Sequence, residues 1–297
     1  VNLQRALPLV GPVPVIARTL MPCLLLLIIT GCASGRQFFY NRLPTVLPWY
    51  LERYVDLDSA QETRFDEQLA ELLAWHRSVE LPRYVALIAE LEIRLQSPLQ
   101  AADIAAVSDD IEVAWYRLRD RALEELLVLG ASLSEAQIDE FLEHLEKRQR
   151  KYQDKYLERS DDRFREDAAD DLRDSLEDYL GRLQPAQRTM VDDAVARLRR
   201  SDSAWIEERR RWIDTLRREL EREAGWQLRI RQAVVGWEDT LDAGTAAIYD
   251  HNTAVIEGAI ADVVNARSER QDERLRSELA ALREDLAALA AQATEAP

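Results

Sequence analysis

The sequence predicts an all-α protein, an irregular array or bundle of long helices behind a short apolar leader. Three observations predict it. Charged residues make up 32% of the 297 residues, glycine and proline are scarce, and Ala, Leu, Glu and Arg outnumber β-branched residues. That mixture favours helices with solvated faces over sheets. A helix-start phrase recurs along the chain, and behind each copy apolar residues return at four-residue spacing, the period of a helix stripe. A formal charge of −16 excludes a nucleic-acid surface, which needs a basic stripe to meet phosphates.

The leader comes first. Its uncharged run, Leu20–Thr30, contains Pro22 and is about half the roughly twenty apolar residues a membrane-crossing helix needs. Arg5 and Arg18 precede it without an acidic residue, and small residues come after it, the layout of a secretory signal. Both cysteines, Cys23 and Cys32, lie in or beside this run. The rest of the chain therefore has no disulfide framework and no thiolate metal site.

The end of the run, Ile29-Thr30-Gly31-Cys32, resembles a bacterial lipobox. The resemblance implies cleavage between Gly31 and Cys32 and a diacylglycerol on the Cys32 sulfur, a nucleophile suited to taking the lipid. Several acyl chains give lasting attachment where one does not. Ala33 and Ser34 come next, with no Asp at 33; by similarity to lipoprotein sorting signals this points to the periplasmic face of the outer membrane. The expected organisation is a signal peptide over 1–31, a lipid-anchored tether (Ala33–Gln37) and short N-terminal segment within 32–56, and a helical domain over 57–297.

Within that domain Leu57-Asp-Ser-Ala-Gln61 returns as Leu133-Ser-Glu-Ala-Gln137 and Leu183-Gln-Pro-Ala-Gln187, with weaker copies Leu99-Gln-Ala-Ala-Asp103 and Arg267-Ser-Glu-Arg-Gln271. Each reads as a helix beginning. Asp58, Ser134 and Ser268 suit the N-cap, glutamine three residues on reaches back to the N-cap amide, and Pro185 fits the first turn. The stripes behind them are Phe65/Leu69, Val107/Ile111, Phe141/Leu145, Val191/Val195 and Leu275/Leu279. The uneven spacing of the copies argues against a fixed-period solenoid.

A break or kink is expected at Leu81-Pro82 and a helix end at Ser97-Pro98, with Gly130 and Gly181 as helix-ending residues and a fresh start at Ser160. From Ser203 to Ala293 there is no proline, so long helices are expected, interrupted at most at Gly225, Gly236, Gly244 and Gly258. The seam Leu275, Leu279, Leu282, Leu286 and Leu289 wants a partner helix, either within the chain or in a second copy through self-association.

The chemical candidates are sparse. His76, His144 and His251 are the three histidines; Glu140 precedes His144 by four and Asp250 adjoins His251, but three or four convergent ligands are wanted for a metal. No phosphate loop or nucleophile elbow is present. Asp161-Asp162, Asp170-Asp171 and Asp192-Asp193 read as solvated helix faces with arginines in reach, and the basic strip from Lys147 to Lys155 as another charged face. Trp205 and Trp212 share a helix face, for core packing or for an aromatic groove that grips extended segments. No catalytic, metal or cofactor residue is assigned.

Two wider resemblances bear on function. Phe38 to Tyr84, with "FFYNRLPTVLPWYLERYVDLD" and "LLAWHRSVELPRY", resembles a family of uncharacterised proteobacterial lipoproteins, which implies location and helical character. The frames Leu57/Gln61, Leu133/Gln137 and Leu183/Gln187 are similar to the Leu-Thr-x-x-Gln motif of the Spy/CpxP periplasmic chaperones, without its threonine. The expectation is a membrane-tethered, non-catalytic protein with unfolded or envelope-protein clients. The alternative is an envelope hydrolase using scattered carboxylates with His76 or His144.

Overall fold

The computed structural model describes residues 33–292, and every regular element among them is helical, with no strand. Helices α1 (Ala33–Tyr40) and α2 (Leu43–Leu51) precede α3 (Ser59–Trp75), which passes through a π-turn at His76–Glu80 into α4 (Leu81–Arg94). Next come α5 (Ala101–Ser132), α6 (Glu135–Tyr156), α7 (Asp161–Leu180), α8 (Pro185–Val195), α9 (Asp202–Glu219) and α10 (Trp226–Val235). A 3-10 turn at Glu238–Thr240 leads to α11 (Ala243–Asn265) and α12 (Glu269–Ala291).

All five recurring phrases start helices. In each, the side chain three residues in accepts a hydrogen bond from the N-cap amide: Asp58 to Gln61 (2.9 Å), Gln100 to Asp103 (2.8 Å), Ser134 to Gln137 (2.8 Å), Gln184 to Gln187 (2.9 Å) and Ser268 to Gln271 (3.1 Å). These bonds satisfy amides that a helix start would otherwise orphan. Ser160 caps α7 through the Arg163 amide, and Gly181 ends that helix with a φ of 70° that favours glycine. At Leu81-Pro82 the chain kinks without breaking. Proline cannot donate to the Ser78 carbonyl, and the ladder slips instead to a five-residue bond, Leu81 N–H to the His76 carbonyl.

One expected helix end is corrected, and one possible interruption does not occur. Gly130 lies inside α5, which runs on to Ser132; the Trp226 ring sits 3.4 Å from where a Cβ would stand, so the position serves close packing instead of a helix end. Gly258 lies inside an unbroken α11.

The buried side chains form two hydrophobic clusters. The larger gathers α4, α7, α8, α11, α12 and the first half of α5, including Ala114 and Leu118. The smaller gathers α6, α9, α10 and the second half of α5, including Leu123 and Leu127. With 32 residues and about 1.5 Å rise per residue, α5 is a rod that both clusters share. All five leucines of the C-terminal seam are buried in the larger cluster, so the partner it wants is found within the chain.

Each cluster is closed by a glutamine clasp. Gln61 and Gln137 exchange amide bonds across the starts of α3 and α6, at 3.1 and 2.7 Å. Each also reaches a backbone carbonyl two residues before the other's N-cap: Gln61 donates to Ser132 and Gln137 to Asp56. Gln271 and Gln187 join the starts of α12 and α8 at 3.0 Å, with Gln271 also donating to the Arg182 carbonyl and Gln187 to that of Val263. Thus four copies of the phrase meet in pairs, and the glutamine that caps its own helix also fastens another. Two asparagines on α11 work similarly on loops: Asn252 pairs with both backbone groups of Arg199, and Asn265 with those of Leu99.

The segment expected as a tether is helical from Ala33 and docked on the body. Buried Arg36 donates to Asp285 on α12 at 2.6 Å, and Gln37 donates to the other carboxylate oxygen at 2.8 Å.

Candidate functional site

The residues best placed for chemistry gather where the π-turn meets α1 and α4. His76 and Glu80 are both 0% exposed. Both belong to the π-turn, and such turns are common at functional positions. The Tyr40 hydroxyl and His76 Nδ1 share a hydrogen bond of 2.8 Å. The His76 ring stacks on Tyr40 with centroids 5.8 Å apart and meets Tyr84 edge-on at 5.6 Å. Burial lowers the His76 pKa to about 4, the Glu80 carboxylate opposing and the Arg77 charge reinforcing the shift, so the imidazole is neutral near pH 7. Glu80 is clamped by Arg117, which donates to both carboxylate oxygens (2.9 and 2.8 Å), and by Arg83 at 2.6 Å.

A general base must reach a substrate proton, and fully enclosed His76 has no such access. Two polar atoms of the cluster, His76 Nε2 and the Tyr84 hydroxyl, are buried with no hydrogen-bond partner among the described residues. Tyr84 is 7% exposed, and burial, helped by the Glu80 charge, pushes its hydroxyl pKa well up. It therefore stays a neutral donor. A buried hydroxyl left unpaired costs about 1–3 kcal/mol.

Tyr84 also lines a cavity of about 350 Å3 inside the larger cluster, between α4, α5, α7, α11 and α12. Its wall is almost wholly aliphatic, from residues such as Ile88, Ala114, Leu176 and Leu279. Partly exposed Leu87 and Val107 and exposed Ile111 mark its opening. Ile111 is the member of the recurring stripes that packing leaves at the surface. A second apolar cavity, about 200 Å3, lies in the smaller cluster and is lined by Phe65, Leu127, Trp212 and Trp226 among others. The larger of the two spaces opens to solvent past Ile111. Its volume falls within the range of about 300–1,000 Å3 for small-molecule pockets.

The other sequence candidates lie apart from this cluster. His144 Nδ1 bonds the Glu140 carbonyl, while the Glu140 carboxylate accepts from the Asp56 amide. His251 bonds the Arg197 carbonyl. Neither histidine takes the neighbouring carboxylate that the sequence set beside it. Asp161 pairs with Arg200, Asp162 with Arg165, and Asp170 and Asp192 both with Arg173, as solvated helix faces do; Asp171, expected on the same solvated face as Asp170, is instead buried. In the basic strip, Arg148 donates to Tyr50 and Tyr152. Trp205 packs edge-on to Tyr152 and Tyr156, under Arg209, whereas Trp212 faces the smaller cavity, so the pair is divided between two surroundings. Among the described residues no three His, Cys, Asp or Glu side chains could together hold a metal ion, and no helix is long and apolar enough to cross a membrane.

The expected lipidation residue, Cys32, and the expected cleavage site, Gly31–Cys32, lie outside the described residues. The first two helices beyond Cys32 each expose a large aromatic ring. Phe38 is 62% exposed and Trp49 is 59% exposed. Arg42 lies over the Phe38 ring at 5.1 Å and Arg53 over the Trp49 ring at 5.6 Å. In a strongly acidic chain, residues 33–51 contain no Asp or Glu. Sequence reasoning missed both these exposed rings and the Tyr84 cavity. The absence of acid over 33–51 was the available signal for the first; the second depends on helix packing.

A family described as being of unknown function (DUF6279) matches residues 53–240, more than half of the chain. No curated protein and no solved structure matches.

Proposed function

The chain belongs to DUF6279, a family of unknown function, and since membership assigns no activity, we propose from the residues themselves that this is an envelope lipoprotein acting by binding. Acyl chains on Cys32 hold it on the periplasmic face of the outer membrane, and its helical body takes up apolar or unfolded partners. The observation that carries binding over catalysis is the aliphatic cavity beside a histidine that is sealed from solvent. Apolar walls with one or two polar groups suit recognition. The anchoring half is supported by the Arg-flanked Phe38 and Trp49, a few residues beyond Cys32, because aromatic rings with basic neighbours favour the headgroup layer.

Cys32→Ser tests the anchor. The unchanged protein is expected to fractionate with membranes and to incorporate a palmitate analogue, and the variant to do neither; a variant that still labels refutes the assignment. For the body, the purified protein is expected to delay aggregation of a reduced client without turning over generic esters or glycans. Turnover abolished by a single change at His76, His144 or a carboxylate would replace binding with a hydrolase.

A further inference from the structure

We propose that the lysine row of α6, with the Trp49 end of α2 beside it, is a docking surface for the phosphates of anionic phospholipid headgroups. The inference deepens the anchoring half of the proposed function and rests on it. The chain has 36 arginines and only three lysines, Lys147, Lys151 and Lys155. All three are exposed and lie on α6 at four-residue spacing, which puts them on one helix face. Arginines make every ion pair among the described residues, and Lys147 and Lys151 have no hydrogen-bond or ion-pair partner there. Lys155 donates to the Tyr156 hydroxyl at 3.2 Å. This division has a chemical reason. A guanidinium forks onto a carboxylate fixed in place, whereas an ammonium on a flexible stem is a hydrated point charge suited to anions that move.

Two further observations select a membrane surface. The first is local charge. Residues 147–157 hold five basic residues and one acid, Asp154, a density of positive charge that fits anionic lipid. Glu146, just before the row, is matched by Arg150 and by Arg217 of α9. The formal charge of −16 does not oppose the contact, because salt screens charges beyond roughly 10 Å. The second is continuity with the anchored end of the chain. Arg148, inside the row, donates to the Tyr50 hydroxyl at 3.1 Å and lies over the Tyr54 ring. Arg53 in turn lies over the rings of Tyr50 and of exposed Trp49. The row therefore borders the part of α2 that the proposed anchoring puts at the headgroup layer.

Because the chain has no other lysine, amine acetylation followed by peptide mapping reports on this row alone. The full lipidated protein is reconstituted in vesicles of phosphatidylcholine, or of phosphatidylcholine and phosphatidylglycerol in equal parts. The vesicles are floated and treated with an uncharged acetylating ester. Flotation with both is expected. Lys147 and Lys151 should acetylate about fivefold more slowly on the anionic vesicles, and molar salt should restore the rate. Lys147→Glu/Lys155→Glu leaves Lys151 as the reporter and should abolish its protection; should that variant unfold, the salt arm on the unchanged protein decides. Equal rates on the two vesicles, or slowing that molar salt leaves intact, overturn the lipid surface. Protection that appears only when envelope proteins are added overturns it in favour of an acidic protein partner. The anchor is judged separately. Flotation with both vesicles at equal acetylation rates keeps the anchor and sinks the row, while flotation with anionic vesicles alone, with the lysines protected, keeps the row and sinks the acyl anchor.

Discussion

Replacing Gln187 with alanine should cost about 3 kcal/mol of folding stability. The residue is 1% exposed. Its Oε1 accepts from the Gln184 amide at 2.9 Å and from Gln271 Nε2 at 3.0 Å, and its Nε2 donates to the Val263 carbonyl at 3.1 Å. Three bonds are lost at about 1 kcal/mol each. The Gln184 amide sits near a helix start where water can replace the bond, while the Val263 carbonyl is stranded, so the two departures from the mean offset one another. With a urea slope of about 3 kcal/mol per M, the midpoint should fall by about 1 M. Gln271→Ala and the double variant complete a cycle, with an expected coupling of about 1 kcal/mol for the direct amide bond. Asp103→Ala is the internal comparison. It removes the same reach-back at the start of α5, where no second glutamine answers, and should cost only about 1 kcal/mol. A Gln187→Ala loss below about 1 kcal/mol, or strict additivity with Gln271→Ala, would refute the clasp as a tertiary fastening.

Asp285→Ala removes the carboxylate that buried Arg36 meets at 2.6 Å and should destabilise by about 3–5 kcal/mol, read by denaturant unfolding; the Arg36→Leu/Asp285→Leu pair should recover most of that loss. His76 has a folded pKa lowered from 6.5 to about 4. The unfolded chain therefore takes up the proton first, and stability present above pH 6.5 declines by about 3 kcal/mol in all as pH falls towards 4. NMR of the ring should find it neutral at pH 5.5, and a His76→Gln variant should lose that part of the slope. Replacing exposed Phe38 and Trp49 together with serine should leave the melting temperature within about 2 °C but make protein reconstituted in vesicles more accessible to protease at residues 33–53; unchanged accessibility would remove the headgroup contact.

Much of the helix pattern was legible because capping is local. Asp58/Gln61 and Ser134/Gln137 need only a three-residue spacing to declare a helix start, and Leu275–Leu289 needs only its four-three alternation to declare a buried seam. What the sequence does not carry is which starts meet. Gln61 and Gln137 are 76 residues apart, and their pairing arises from packing that no local signal records. Gly130 misled because a glycine that ends a helix and one that admits a tryptophan ring look alike in sequence. The candidate site was less legible still. Glu140 beside His144 and Asp250 beside His251 suggested pairs that the folded chain does not make, because each imidazole bonds a backbone carbonyl instead, whereas Tyr40, His76 and Tyr84 come together from α1, the π-turn and α4.

The most direct test of the account is intact mass spectrometry of the protein purified from its native membranes. The account predicts a chain that begins at Cys32 and carries a diacylglycerol together with an N-linked acyl group. A chain retaining residues 1–31, with no acyl mass, would contradict it.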